Sequence, residues 1–82
     1  MRLTIYSKPG CHLCDEMKAV VHRVLDSHAD MPLDEIDIST DAALLDRYGL
    51  EIPVLLIDGT KVAKYRVSEK ELRRMIDGRG GG

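Results

Sequence analysis

The spacing of apolar residues divides the first third of this chain into a strand and a helix. Residues 2–6 are rich in β-branched and aromatic side chains, which is typical of a β-strand. From residue 13 to residue 25, apolar side chains recur at a helical period. We therefore predict a strand over 2–6 and an amphipathic helix over 12–28, joined by a turn over 7–10 that contains Pro and Gly.

The middle of the chain predicts a second strand and a short second helix. Residues 29–32 end the first helix, and residues 33–38 form the strand. Ser39 or Thr40 is suited to cap the short helix, and Gly49 is suited to end it. The inward-facing residues of this helix are predicted to be Leu44, Leu45 and Tyr48.

Two further strands follow as a predicted hairpin. Residues 52–57 form an apolar run that is long enough for a buried strand. Asp58-Gly59 is a strong signal for a two-residue hairpin turn. Residues 61–67 then alternate polar and apolar side chains, as a strand with one solvated face does.

The last predicted helix has both a start signal and a stop signal. Ser68 and Glu71 have the spacing of a capping box, with Val67 and Leu72 at the staple positions around it. Gly78 is predicted to end the helix. The residues of its buried face are predicted to be Leu72, Met75 and Ile76.

The predicted order β-α-β-α-β-β-α places the chain in the α/β class. Its 82 residues make one domain over 1–78, followed by a flexible tail over 79–82. Twelve basic and 14 acidic residues leave a net charge of −2, which argues against nucleic acid or an anionic membrane as a partner. No apolar run approaches the roughly 20 residues of a membrane span, and the N-terminus does not resemble a secretion signal. We expect a cytoplasmic protein.

The two cysteines lie in one tetrapeptide, Cys11-His12-Leu13-Cys14. Two cysteines are too few for the disulfide framework of a small secreted domain. A disulfide between them closes a very short loop and stabilises the fold little. Chemistry therefore explains the pair better than structural cross-linking.

The place of this pair in the pattern favours redox chemistry. Cys11 falls at the predicted start of a helix, where free N–H groups and the positive end of the helix dipole stabilise a thiolate. Such a placement lowers a cysteine pKa from about 8.5 into the range of about 3.5–7.5. Lys8 is a candidate to add positive charge near Cys11, and His12 is a candidate to tune Cys11 electrostatically. Each residue is equally well explained as an exposed surface side chain. Cys14 lies one helical turn later and faces the core more, which suits a resolving thiol.

Metal binding is the first alternative to redox chemistry. A zinc site needs four converging ligands, and the other histidines of the chain, His22 and His28, lie on the same predicted helix. The helical rise puts them about 12 Å and about 21 Å beyond Cys14. We therefore predict no metal ligand within one chain, while an iron–sulfur cluster shared between two chains stays open.

Pro53 is the most informative residue outside the tetrapeptide. It opens an apolar strand that otherwise looks central in a sheet, where proline is normally excluded. A cis peptide bond or an edge position would reconcile the two.

Three segments carry a resemblance to a known family: LTIYSKPGCHLCD at 3–15, YGLEIPVL at 48–55 and IDG at 57–59. Over 3–77 the chain resembles the glutaredoxin-like proteins of the thioredoxin-fold superfamily, in particular a small subgroup with the sequence C-H-L-C. The resemblance implies a four-stranded mixed sheet flanked by three helices. It also implies a cis peptide bond between Ile52 and Pro53 that packs beside the cysteines.

The resemblance also implies roles for individual residues. Cys11 is the expected nucleophile and Cys14 the expected resolving thiol. The segment from Ile52 through Pro53 to Val54 is expected to pair with the substrate backbone, and Lys8 matches a lysine near the thiolate and the glutathione carboxylate. The complete predicted set of substrate-binding residues is Lys8, His12, Ile52, Pro53 and Val54.

The chain also departs from both main branches of this superfamily. Leu13 stands where glutaredoxins usually carry an aromatic residue, and residues 65–69 replace their glutathione-binding Gly-Gly-x-Asp segment. Gly10 and Ile5 stand where thioredoxin carries a Trp and a buried Asp. Two electron donors therefore stay open, glutathione and a flavoprotein disulfide reductase such as thioredoxin reductase.

These observations predict a monomeric enzyme, a thiol–disulfide oxidoreductase without a tightly bound cofactor. Its predicted substrates are protein disulfides or glutathione mixed disulfides, reduced at the Cys11–Cys14 pair. The alternatives are a non-catalytic binding module and a dimer-bridging iron–sulfur carrier on the same fold.

Overall fold

A computed structural model describes residues 1–28 and 30–80, and these form a four-stranded mixed sheet with three α-helices. The strands are β1 (Leu3–Ser7), β2 (Leu33–Asp37), β3 (Val54–Ile57) and β4 (Thr60–Lys64). The helices are α1 (His12–Leu25), α2 (Ala42–Tyr48) and α3 (Glu69–Gly80), and a short 3₁₀ turn, Ile38–Thr40, precedes α2. The predicted α/β class, sheet and element order are confirmed.

The order of the strands across the sheet is β2-β1-β3-β4. β1 pairs with β2 in parallel, whereas β3 runs antiparallel to both β1 and β4. The last residues of β1, β2 and β4 therefore lie at the same end of the sheet as the first residue of β3. We call this the carboxyl end of β1.

The main core lies between the sheet and the helices α1 and α3. Alternation along β1 turns Leu3 and Ile5 toward these helices, and both side chains are fully buried. Each large apolar side chain buried in this way contributes about 1.5–3 kcal/mol relative to exposure. The buried members of the main core are Leu3, Ile5, Met17, Val21, Val24, Leu55, Ile57, Val67, Leu72 and Ile76.

Helix α2 lies over the opposite face of the sheet. Tyr6 alternates to that face, and its ring packs against Tyr48 with ring centroids 4.9 Å apart. Leu44, one turn before Tyr48, points inward as predicted. Leu45 does not point inward as predicted, since 40% of its surface is exposed.

The predicted cap of α2 at Ser39 or Thr40 is wrong. Those two residues belong to the 3₁₀ turn, whose own cap is Asp37. Asp41 caps α2 instead, and its carboxylate accepts hydrogen bonds from the N–H groups of the second and third helical residues. The predicted end at Gly49 is confirmed, because its N–H donates to the Leu45 carbonyl.

Strand boundaries differ from the prediction by one to three residues. β1 covers Leu3–Ser7 rather than 2–6, and β2 ends at Asp37 rather than at residue 38. β3 begins at Val54 rather than at residue 52, since the preceding proline has no N–H for the ladder. β4 begins at Thr60 and ends at Lys64 rather than at residue 67, because Tyr65 adopts a left-handed conformation with φ of 68°.

Two helix ends also differ from the prediction. α1 ends at Leu25 rather than at residue 28. A ring nitrogen of His28 hydrogen-bonds the Val24 carbonyl at 3.1 Å, which pairs one of the carbonyl groups at this helix end. α3 continues past Gly78 to Gly80, since Gly78 does not adopt the positive φ that ends a helix. Ala29, where the predicted end of α1 begins, and residues 81–82 of the predicted tail lie outside the described residues.

The predicted hairpin and capping box are confirmed. Asp58 and Gly59 both have positive φ, 49° and 82°, as a type I′ turn requires. Ser68 Oγ accepts the Glu71 N–H at 3.0 Å, and the Glu71 carboxylate accepts the Ser68 N–H at 3.2 Å. No helix in the described part of the chain is long and apolar enough to cross a bilayer.

Candidate active site

The two cysteines lie where β1 passes into α1, at the carboxyl end of β1. Pro9 and Gly10 turn the chain there, and Gly10 takes a φ of 78° that few other residues adopt. Cys11 is the N-cap of α1, and its Sγ accepts the Cys14 N–H at 3.1 Å. Cys11 therefore occupies the predicted place, at the end of the helix where backbone N–H groups converge.

Cys11 and Cys14 form a disulfide, with their Cα atoms 5.2 Å apart. Cys11 is partly exposed, whereas Cys14 is wholly buried. A partner can therefore approach one sulfur and not the other. This asymmetry is the one predicted from the helical spacing of the pair.

Cys14 is part of a small apolar cluster, which we call the site cluster. Its buried members are Cys14, Ile38 and Ile52. Partly buried residues that pack against them are Tyr6, Cys11, Leu44 and Tyr48. The cluster therefore joins the start of α1, the turn after β2, the segment before β3 and helix α2.

The peptide bond between Ile52 and Pro53 is cis, as the resemblance implied. Pro53 is buried, and its carbonyl accepts the Tyr65 N–H at 2.8 Å. Val54 is the first residue of β3 and pairs with both neighbouring strands. Among the described residues, the backbone of Ile52 makes no hydrogen bond with another backbone group. Of the three predicted substrate-pairing residues, Ile52 is thus the one whose backbone N–H and carbonyl are both available to a ligand.

Lys8 and His12 flank Cys11 along the chain, and both side chains are exposed. Lys8 lies in the loop after β1, and His12 is the first residue of α1. Neither side chain makes a hydrogen bond or an ion pair with any residue that the structure describes. Their predicted roles rest on their position beside Cys11.

The sequence did not identify three residues of this region as part of the site. Ile38 reads as the end of a strand, yet it is a buried member of the site cluster. Tyr6 reads as a strand residue, yet it pairs with Tyr48 beside the cysteines. Tyr65 reads as part of β4, yet it contacts the segment before Pro53. Alternation marked Tyr6 as facing away from Ile5, but it did not say what would cover that face.

An ion pair lies beside the predicted substrate-pairing segment. Lys61 Nζ donates to Glu51 Oε1 at 2.9 Å, and this hydrogen bond lowers the pKa of the Glu51 carboxyl from its usual value. The Ser39 hydroxyl and N–H likewise lower the pKa of Asp37, which precedes Ile38. Both carboxylates are therefore ionised at neutral pH.

Within residues 1–28 and 30–80, no group of three or more His, Cys, Asp or Glu side chains is arranged to hold a metal ion. His22 faces Glu35 of β2, with 3.6 Å between Nε2 and Oε1. His28 is engaged at the end of α1.

Comparison with known proteins agrees with this geometry. The model of the family described as Glutaredoxin-like domain (DUF836) matches residues 2–77. The chain belongs to this family. A curated relative, the glutaredoxin-like protein YDR286C homolog of Dictyostelium discoideum, is 27% identical over 79 residues, which are 88% of this chain and 71% of the relative.

Solved structures of similar proteins show the fold. Target protein XcR50 from X. campestris is 30% identical, covers 93% of this chain and 96% of its own, and has a TM-score of 0.71. A thioredoxin variant from Halobacterium salinarum NRC-1 is 27% identical, with a TM-score of 0.61 over 94% of this chain and 72% of its own. The protein therefore has a thioredoxin fold, and its Cys11–Cys14 pair supports a function of the thiol–disulfide oxidoreductase type.

Proposed function

We propose that this protein is an enzyme that reduces protein disulfides or glutathione mixed disulfides. The observation that carries the proposal is the unequal access to the two sulfurs. Cys11 is reachable at the start of α1, and Cys14 is buried within bonding distance of it. A disulfide exchange in two steps needs such a pair.

In the first step, the Cys11 thiolate attacks one sulfur of the substrate disulfide. A bond forms between that sulfur and Cys11 Sγ, and the substrate S–S bond breaks. The other substrate sulfur leaves with the electron pair and takes a proton from solvent. The N–H groups at the start of α1 favour the thiolate, because they meet Cys11 with the positive end of the helix dipole.

In the second step, the Cys14 thiolate attacks Cys11 Sγ. The mixed disulfide breaks, the second substrate sulfur leaves as a thiol after protonation, and the Cys11–Cys14 disulfide forms. The substrate has gained two electrons, and the cysteine pair has lost them. Burial keeps Cys14 from reacting with outside disulfides, since only Cys11 Sγ is within its reach.

Substrate binding is assigned to the residues around Cys11. The backbone of Ile52, next to the cis bond with Pro53, pairs with an extended substrate segment, while Val54 anchors this region to the sheet. Lys8 presents a positive charge, and His12 an exposed imidazole ring, at the approach to Cys11. The cytoplasm, whose thiol pools regenerate such pairs, is the proposed compartment.

The electron donor is proposed to be glutathione or a flavoprotein disulfide reductase. Glutathione would return two electrons through a second mixed disulfide at Cys11, with glutathione disulfide as the product. A reductase would do so by direct exchange with the exposed sulfur. Neither route needs a cofactor bound tightly to this chain.

The test is a coupled assay on the reduced protein with NADPH as the final electron source. One arm contains glutathione and glutathione reductase, and the other contains thioredoxin reductase. Both use a protein disulfide and a glutathionylated peptide as substrates. We expect turnover in one arm at least, and the Cys11→Ser variant should show none above the uncatalysed rate.

Arg2→Gln is a suitable control, because it removes an exposed ion pair with Asp34 at the other end of β1, away from the cysteines. Circular dichroism must show that both variants fold. Wild-type turnover by Cys11→Ser would contradict the proposal. Visible absorbance of a dimer after anaerobic purification would instead favour the iron–sulfur alternative.

A further inference from the structure

Tyr65 has an unusual backbone for a large residue. Its φ of 68° lies in the left-handed region, where a bulky side chain is a genuine outlier. Such a conformation costs free energy and persists where surrounding contacts determine it. Tyr65 follows β4 directly, so it lies at the carboxyl end of β1 together with the cysteines.

Two hydrogen bonds from Tyr65 reach the segment 50–53. Its N–H donates to the Pro53 carbonyl at 2.8 Å, and its hydroxyl donates to the Leu50 carbonyl at 3.1 Å. One residue therefore holds the segment at both of its ends. Between these two anchors lies Ile52, whose backbone has no backbone partner among the described residues.

A third contact joins the same two parts of the chain. Lys61 of β4 pairs with Glu51 at 2.9 Å, between the two anchors of Tyr65. Leu50 itself projects outward, with 94% of its surface exposed, so its own side chain does little to hold the segment. The Glu51 N–H donates to the Tyr48 carbonyl at 2.8 Å, and the hydroxyl of Tyr65 is the contact that ties the Leu50 carbonyl to the chain after β4.

We propose that Tyr65 is a positioning residue for polypeptide substrates. Its hydroxyl holds the Leu50 carbonyl, which keeps the peptide groups of Ile52 oriented to pair with an extended chain. This inference rests on the proposed function, in which that backbone binds the substrate. A small disulfide without a peptide backbone needs only access to Cys11 Sγ and gains nothing from the arrangement.

The test compares Tyr65→Phe with wild type on two substrates, a protein disulfide and hydroxyethyl disulfide. Phenylalanine keeps the ring and removes the one hydroxyl. Since one hydrogen bond contributes a factor of about 2 to about 10 in an equilibrium, we expect kcat/KM for the protein disulfide to fall by that factor. The fall should come from a higher KM, with hydroxyethyl disulfide turned over at the wild-type rate.

Arg2→Gln is the matched control. It breaks an exposed pair between Arg2 and Asp34 at the other end of β1, so it removes a polar contact without approaching the cysteines. Its kinetics should equal those of wild type with both substrates. The thermal unfolding midpoint of both variants is measured as well, to test whether a kinetic change comes from a loss of folded protein.

Three outcomes decide the matter. A selective loss with the protein disulfide supports the proposal. Unchanged kinetics of Tyr65→Phe, or an equal loss with both substrates, overturns the role of Tyr65 while leaving the oxidoreductase intact. Wild-type protein inactive toward both disulfides would overturn the proposed function, and the role of Tyr65 with it.

Discussion

The main core and the site cluster are built from different residues and meet the sheet on opposite faces. Among the residues that the structure describes, the main core has ten buried apolar residues, contributed by β1, β3, α1, α3 and the segment before α3. Within the same described part of the chain, the site cluster has three buried residues, one of them Cys14, and its partly buried rim includes two tyrosines. The strand β1 joins the two, since Ile5 points into one and Tyr6 into the other.

This difference separates the sources of stability and of chemistry. Buried apolar area stabilises the fold in proportion to its size, so the main core contributes most. The site cluster keeps Cys14 dry and leaves Cys11 reachable, which exchange chemistry needs. We therefore expect substitutions in one region to affect stability and substitutions in the other to affect turnover.

Cys14→Ala should have the largest effect on turnover. Without a resolving thiol, the mixed disulfide at Cys11 persists, and turnover of a protein disulfide falls to the uncatalysed rate. Mass spectrometry should detect the trapped adduct, and urea unfolding of the reduced protein should change by only about 1 kcal/mol. Sustained turnover by this variant, without an added thiol, would show that Cys14 is not the resolving residue.

Leu55→Ala should have the opposite effect. Leu55 is fully buried in the main core and pairs with Ile5 across the sheet. Its truncation should lower the free energy of unfolding by about 2–5 kcal/mol, measured in urea. Activity per folded molecule should stay at the wild-type value at low temperature.

Leu55→Val keeps the test usable if the alanine variant does not fold. It removes less volume, and we expect a smaller loss of stability in the same direction. A large loss of turnover in either folded variant would break the separation between the two regions.

Two substitutions that remove helix N-caps, with equal expected losses of stability, test whether the two regions have separate roles. Asp41 caps α2, which carries Leu44 and Tyr48 into the site cluster, whereas Ser68 caps α3 in the main core. Changing either to Ala should cost about 1 kcal/mol. Turnover should fall in Asp41→Ala, by at most about tenfold, and stay unchanged in Ser68→Ala. Equal turnover of the two variants would contradict the assignment of α2 to the site.

The smallest expected effect is a change in stability at acid pH that comes from Glu69, at the start of α3. Hydrogen bonds from Arg73 and then Arg23 lower the pKa of the Glu69 carboxyl from its usual value. The stability from these bonds is present above the ordinary carboxyl pKa, about 4.3, and is lost as the pH falls through the lowered value. Glu69→Gln should therefore lose less stability than wild type between neutral and acid pH.

Urea unfolding at several pH values measures this difference. Glu16→Gln is the control, because Glu16 is exposed on α1 and makes no ion pair within the part of the chain that the structure describes. A Glu69→Gln profile that matches wild type would show that the two arginine contacts contribute nothing in solution.

Features that depend on near neighbours in the chain were predictable. The helical period of α1, the capping box at Ser68 and the hairpin at Asp58-Gly59 each involve residues no more than a few positions apart. The place of the cysteines at a helix start follows from the same local signals. Errors appeared where two local signals competed, as when Asp41 rather than Thr40 capped α2.

The amino-acid sequence by itself therefore determined most of the elements, their order and the place of the Cys11–Cys14 pair at a helix start. The tertiary structure decided which residues surround that pair. Ile38, Tyr6 and Tyr65 are distant from one another in the chain and lie at the same end of the sheet because of its strand order. No local pattern encodes this arrangement, since it depends on how β1, β2, β3 and β4 pair, and packing of the whole chain decides that pairing.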